Sequence, residues 1–399
     1  MSNKTSERIL SDTWLDALTS NIRLIEPESR GVIPSTVPLR DGEAIIIGLD
    51  HGNDAFKIAL RHATEPRMIV KRVIASYASA KEIRSGEGYR TWNVDGSEAF
   101  WMGMDALHEG SPLPVGSTFD RIADSRQSRF MGAVLTQALI EAGYKPGAYR
   151  LVLGFGVPVE ELGTGGIIQE ARDAIKVLQE HQFSVELRDP QWGLSSWDLS
   201  FSLIVPIPQS FGAFLAWSRN LAGQSVTNGI DAVSVLDFGG GHTQKLDIVL
   251  KPKMNATGGL LGEGTVALAR QLQTILKGQY RGLTLSMAEV QHALIHRQVV
   301  WGGEYVDISA HVETVLQSTG HTTISNTLQA WQDQRKFVIC TGGGAILLAD
   351  LLQERAEAVG RSPRSYLIMP DEWASTINSV GLFIHGMLVA YQKSQSESR

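Results

Sequence analysis

Two aspartates stand at matching places in this 399-residue chain. Asp50 ends the apolar run 44–49 and is followed by His51-Gly52-Asn53-Asp54; Asp237 ends the run 232–236 and is followed by Phe238-Gly239-Gly240-Gly241-His242-Thr243. A second apolar-rich segment follows each, at 55–60 and 245–250, so both read as strand, tight turn, strand. Glycine lets backbone N–H groups come close to an anionic oxygen, and two such hairpins facing each other could grip the β- and γ-phosphates of a phosphate chain from both sides. Each strand-ending carboxylate would then reach Mg²⁺ through its water shell, because that ion keeps several waters and takes few protein carboxylates. Asp50 and Asp237 are thus the candidate metal residues, and Lys57 on the returning strand could place a point charge on the phosphates. A third glycine cluster, Gly342-Gly343-Gly344, lies between the strand-like run 337–341 and a helix-like run from 345. There the backbone could pass close beneath a purine or an α-phosphate. Any one of these turns alone is an ordinary connection; their combination in one chain points to a nucleotide.

The elements that must position these groups alternate. A strand-like run at 149–158 ends in Gly and Pro, and the run 203–210 leads into an apolar helix at 211–217. Helical patterns cover 130–141, 166–182, 264–276 and 310–316. Strands mixed with helices argue α/β, with one sheet per half because the aspartate hairpin recurs 187 residues later. The expected organisation is an extension at 1–40 containing Pro34 and Pro38, a first domain at 41–230, a second at 231–375, a helix at 376–391 packing back on the first, and a polar tail at 392–399.

Composition removes several alternatives. Lys and Arg number 36 against 42 Asp and Glu, a net charge of −6, which gives no basic field for holding DNA directly. Cys340 is the single cysteine, which excludes an intramolecular disulfide and a multi-cysteine metal site and suits a reducing compartment. No apolar run approaches the roughly 20 residues of a membrane span, and the first residues lack a signal peptide's apolar segment; the expectation is a cytoplasmic protein away from membranes. The Gly-x-x-x-x-Gly-Lys-Ser/Thr pattern of P-loop enzymes is absent.

The pattern resembles the actin, Hsp70 and sugar kinase superfamily. Residues 50–57 are similar to its first phosphate motif, 237–243 to its second and 341–345 to its adenosine motif, in matching order over most of 44–390. Within it the chain most resembles the bacterial actin-like ParM branch, the ATPases of plasmid segregation, on Gly154-Phe155-Gly156-Val157-Pro158-Val159, Pro208-Gln209-Ser210 and Asn378-Ser379-Val380-Gly381-Leu382. Segments 61–130 and 281–335 match nothing in it. The resemblance implies a two-lobed actin-like fold of duplicated ribonuclease-H-like domains with the nucleotide cleft between the lobes, and ATP and Mg²⁺ as cofactors. It implies nucleotide contacts from Asp50, Gly52, Asn53, Lys57, Gly239, Gly240, Gly241, Thr243, Gly342, Gly343 and Gly344, with Glu263 as a ribose contact. It places Gln209, Asp237 and Gln244 in the catalytic group. Gln209 matches the Gln or Glu that orients the attacking water, a sufficient role because phosphoryl transfer needs little covalent help. Gln244 stands where many relatives carry an acidic residue or histidine, which bears on the hydrolysis rate. The implied function is an ATP-dependent dynamic filament, assembled head to tail and joined to DNA by an adaptor protein. The alternatives are a small-molecule kinase, which needs a carboxylate base that no further Asp after a strand supplies, and a non-hydrolysing ATP-gated scaffold, for which Gln244 argues.

Overall fold

The computed structural model describes residues 44–65, 68–80, 89–106, 111–113, 116–163, 166–219, 225, 230–251 and 254–397; the extension expected at 1–40 lies outside them. The first apolar run forms the strand Ile45–His51, which turns back into Ala55–Arg61 and then into Met68–Ile74, all antiparallel. On its other side Ile45–His51 is joined in parallel by Gly147–Val157, and that strand by Gly193–Pro208. The second half repeats this order. Ala232–Phe238 turns back into His242–Val249 and Asn255–Glu263, and pairs in parallel with Phe337–Thr341, which pairs with Tyr366–Ile368. The central strands Ile45–His51, Ala232–Phe238 and Phe337–Thr341 are mostly apolar because both faces are covered, whereas Gly193–Pro208 alternates exposed and buried residues along its first half.

The first sheet extends beyond this shared frame. Gln182–Asp189 and four short strands, Thr91–Val94, Phe100–Met102, Ser76–Ser79 and Ser111–Pro112, bring it to ten strands, against five in the second. Among the described residues three large cores alternate with the sheets. Phe130, Met131 and Val134 of the helix Ser125–Glu141 pack on one face of the first sheet. The helices Phe211–Ser218 and Ile377–Glu397 fill a middle core with Val233, Val235 and Ile339 of the second sheet, where Trp217 stacks on Phe337 at 4.7 Å. Leu268 and Leu272 of the helix Thr265–Gln279 cover the outer face of the second sheet.

Three local expectations shift. The helix expected at 166–182 is confined to Gln169–Glu180, because Gly166–Ile167 pairs as a short strand and Gln182 opens the next one. The connection at the third glycine cluster takes only Gly342, at φ 88°, and the helix starts at Gly343; only glycine holds that left-handed φ without strain. The residues from 392, expected as a polar tail, continue the closing helix as far as Glu397. Among the described residues no helix is long and apolar enough to cross a membrane.

Candidate active site

The duplicated sheets put equivalent positions of the two hairpins opposite each other. Asp50 pairs directly with Lys57 across the first hairpin, and Asp237 pairs with Gln244 across the second; the place that holds an ammonium in one lobe holds an amide in the other. The two turns meet: a Cβ on Gly240 would lie 3.0 Å from the Cβ of Asp54, and one on Gly241 2.6 Å from Asn53 Nδ2. Between the lobes is an open cleft with about 1150 Å³ of empty space. Its wall includes Asp50, Gly52, Asn53 and Lys57 from the first hairpin and Asp237, Gly239, Gly240, Gly241 and Gln244 from the second. Gln209, Gly342 and Gly343 complete the set that the structure brings together. Thr243 is buried behind the turn, its hydroxyl donating to the Glu263 carbonyl at 3.2 Å. Gly344 lies beneath the same turn, where a Cβ would come within 2.8 Å of the Phe238 carbonyl oxygen. The Glu263 side chain stands apart, in a neighbouring opening and paired with Arg270 at 2.9 Å.

The charges around the hairpins are unevenly compensated. Lys57 Nζ sits 3.6 Å from Asp50 and 3.6 Å from Asp54, and Arg72 reaches Asp54 at 3.1 Å. Burial works against the Lys57 ammonium, but the surrounding Asp50, Asp54 and Asp237 carboxylates outweigh it and hold its pKa above the ordinary value. Burial would raise the Asp54 carboxyl, whose side chain stays 26% exposed, but Lys57 and Arg72 bring it down to about 2. Asp50 is pushed up by burial, partly offset by Lys57. Asp237 is raised to about 6, by burial first and the Asp50 charge second, and it accepts a hydrogen bond from Asn378 Nδ2 at 2.9 Å. A carboxylate held this way binds a proton or a cation more readily than an exposed one does.

At one end of the cleft two glutamines approach each other. The chain leaves the strand Gly193–Pro208 straight into Gln209, whose N–H donates to the Val157 carbonyl at 2.9 Å and whose side-chain amide donates to the His51 carbonyl at 3.0 Å. Ser210 donates from its hydroxyl to Gln244 Oε1 at 3.4 Å, and Gln244 Nε2 donates to Glu160 at 3.4 Å. The buried Arg121 donates to the same His51 carbonyl at 2.5 Å and to Asn53 Oδ1. His51 itself is neutral: burial, aided by Arg121, lowers it to about 3. The other end of the cleft is apolar, with Leu294, Ile295, Ile346 and Leu347 on its wall. Sequence reasoning missed Arg121, Glu160 and this apolar wall. It noted Asn378 only as part of a short motif.

No family model matches the chain, and no curated protein does. Solved structures do. An archaeal actin homologue, Ta0583, superposes with a TM-score of 0.64 at 20% identity, over 85% of this chain and 98% of its own. The chain has an actin-like fold. The same fold links it to Bacillus thuringiensis ParM with AMPPNP, at a TM-score of 0.62 and 13% identity over 87% of this chain and 99% of that one. A non-polymerisable quadruple mutant of pCBH ParM also superposes, at 0.62 and 14% identity, over 87% and 100%. Ta0583 has also been solved in complex with ADP. In actin-like terms, the repeated five-strand frame of each sheet is one half of the fold, and the facing hairpins mark the junction between halves.

Proposed function

We propose that the chain is an ATPase that binds Mg·ATP between the aspartate hairpins and polymerises into dynamic filaments that segregate plasmid DNA. The observation that bears the most weight is the facing of two buried carboxylates, Asp50 and Asp237, across glycine-rich turns at the junction of duplicated sheets, with Lys57 paired to Asp50. The solved complexes of similar structures with ADP and AMPPNP support a nucleotide as the occupant. Gly52 and 239–241 offer backbone to the phosphates, and the apolar wall at Leu294, Ile295, Ile346 and Leu347 suits a planar base. Mg²⁺ fits the donors. The two strand-ending carboxylates, Asp50 and Asp237, stand on the cleft wall, and Mg²⁺ takes few protein carboxylates beside water and phosphate oxygens. When bound, it would neutralise phosphate charge, with Asp50 and Asp237 holding its water shell. A net charge of −6 assigns DNA contact to a basic adaptor, and head-to-tail contacts that do not close give an open filament.

Sedimentation tests the assembly. With ATP or a slowly hydrolysed analogue the protein should pellet above a critical concentration, and with ADP it should stay in the supernatant. The cleft can drive this only if ATP favours one arrangement of the lobes more than ADP does, and a differential of a few kcal/mol is enough. Light scattering of a monomer with both nucleotides, up to about tens of micromolar, would overturn the filament. Phosphate release in buffer alone supports hydrolysis; turnover that requires an added polyol or small acid moves the function to the kinase alternative. Gln209→Ala should lower phosphate release on the order of 10²-fold while nucleotide still binds, so that filaments assemble and then persist. Equal release from variant and parent would remove Gln209 from the water-orienting role.

A further inference from the structure

Beside the two glutamines the cleft opens into a chamber, itself open to solvent, whose wall includes Arg121, Glu160, Glu161, Gln209, His242 and Gln244. Gln209, His242 and Gln244 also line the main cleft, so the chamber joins it at the glutamine end. The geometry points to Glu160 as the general base of hydrolysis, accepting a proton from the water that attacks the γ-phosphorus, an assignment that rests on the ATPase reading above. In that step the water oxygen forms a bond to phosphorus and the bond from phosphorus to the β–γ bridging oxygen breaks. Its electron pair leaves on ADP, and the water proton passes to the Glu160 carboxylate before release with phosphate.

Three observations support Glu160. First, it occupies the helical turn Val159–Glu161, set by the strand Gly147–Val157 and Pro158 at the mouth of the chamber. Second, its carboxylate accepts from Gln244 Nε2 at 3.4 Å and lies 3.8 Å from His242 Nδ1. The carboxylate missing at position 244 is therefore supplied from the opposite lobe, with Gln244 as the amide that aims it. Third, a buried cation stands within electrostatic reach of it. Arg121 interacts with both Glu160 and Glu161. The Glu161 carboxylate is buried and accepts from the Thr118 N–H, with its second oxygen unpartnered in the chamber wall. His242 is the remaining titratable neighbour. Glu263, opposite His242 in the sheet register, is taken up by Arg270. A neutral amide pair can orient a water but cannot take its proton; the carboxylate can.

The test is steady-state ATP turnover from acid to mildly alkaline pH for the parent, Glu160→Gln, Glu160→Asp and His242→Gln, together with binding of a slowly hydrolysed ATP analogue. Glu160→Gln should lower kcat about 10²-fold or more, leave analogue affinity unchanged, and erase the acidic limb of the pH profile. Glu160→Asp should retain that limb and recover part of the rate, and His242→Gln should keep the limb. Turnover of Glu160→Gln within about twofold of the parent, or a limb that vanishes with His242 instead, overturns the assignment alone. A parent that binds the analogue and releases no phosphate overturns the ATPase reading and this base with it.

Discussion

Replacing Asp237 by asparagine is expected to abolish magnesium-dependent ATP turnover and, in the same protein without nucleotide, to raise its melting temperature. The two effects share one cause. Asp237 is 9% exposed, faces Asp50 and Lys57, and has its pKa raised from 3.8 to about 6. A carboxyl that binds its proton more tightly when folded stabilises the fold below the unfolded value, and that contribution is lost as pH rises through about 6. A shift of this size corresponds to about 3 kcal/mol of destabilisation at neutral pH and above. Asparagine keeps an acceptor for Asn378 Nδ2 and removes the charge, so the variant should melt higher than the parent at pH 8 and converge with it in acid. Turnover should fall on the order of 10²–10³-fold, since preorganised charge at the phosphates is lost. Calorimetry across pH and phosphate release against magnesium concentration check both halves. Equal melting temperatures at pH 8 would show that Asp237 is not held against its charge, and turnover near that of the parent would remove it from the site.

The hairpins were legible because their signal is local. An unbroken apolar run, an aspartate and a glycine turn identify strand end, carboxylate and anion-facing backbone within about ten residues, and the direct pairing of Asp50 with Lys57 follows from the turn. The duplication was legible for the same reason, as one local pattern met twice. What escaped depends on chain distant in sequence. Arg121 comes from the short helix Thr118–Ala123 inside a segment that has neither a motif nor a period of its own, and it matters only because it reaches His51 and Asn53. Glu160 reads as one more polar residue after Pro158 until the second lobe brings Gln244 against it. The glycines at 342–344 read as an equal triplet. Folded, Gly342 needs its positive φ, while Gly344 is excluded from carrying a Cβ by Phe238 and Thr265, a packing constraint from another strand and another helix.

The closing helix gives the last and largest structural prediction: Gly381→Ala should cost about 3 kcal/mol and weaken nucleotide binding, although residue 381 is not on the cleft wall. A Cβ at 381 would lie 1.8 Å from the Gly212 carbonyl oxygen, and one at 212 would lie 2.3 Å from the Asn378 carbonyl oxygen. The helices Phe211–Ser218 and Ile377–Glu397 therefore touch backbone to backbone, and no side chain can give way. Asn378 stands one turn before 381; its amide donates to Asp237 at 2.9 Å while its oxygen accepts from the Ala213 N–H at 3.0 Å. Parting the helices pulls this residue away from both partners and moves Gln209, which enters the shorter helix two residues upstream. Gly278→Ala is the matched control. It lies in the helix Thr265–Gln279 with nothing within 4 Å of its added methyl, so it should stabilise by about 0.5–1 kcal/mol through helix propensity alone. Urea unfolding of the two variants should show midpoints moving in opposite directions at unchanged slope. If Gly381→Ala kept both its midpoint and its nucleotide affinity, the seating of the closing helix would not be what holds Asn378 on Asp237.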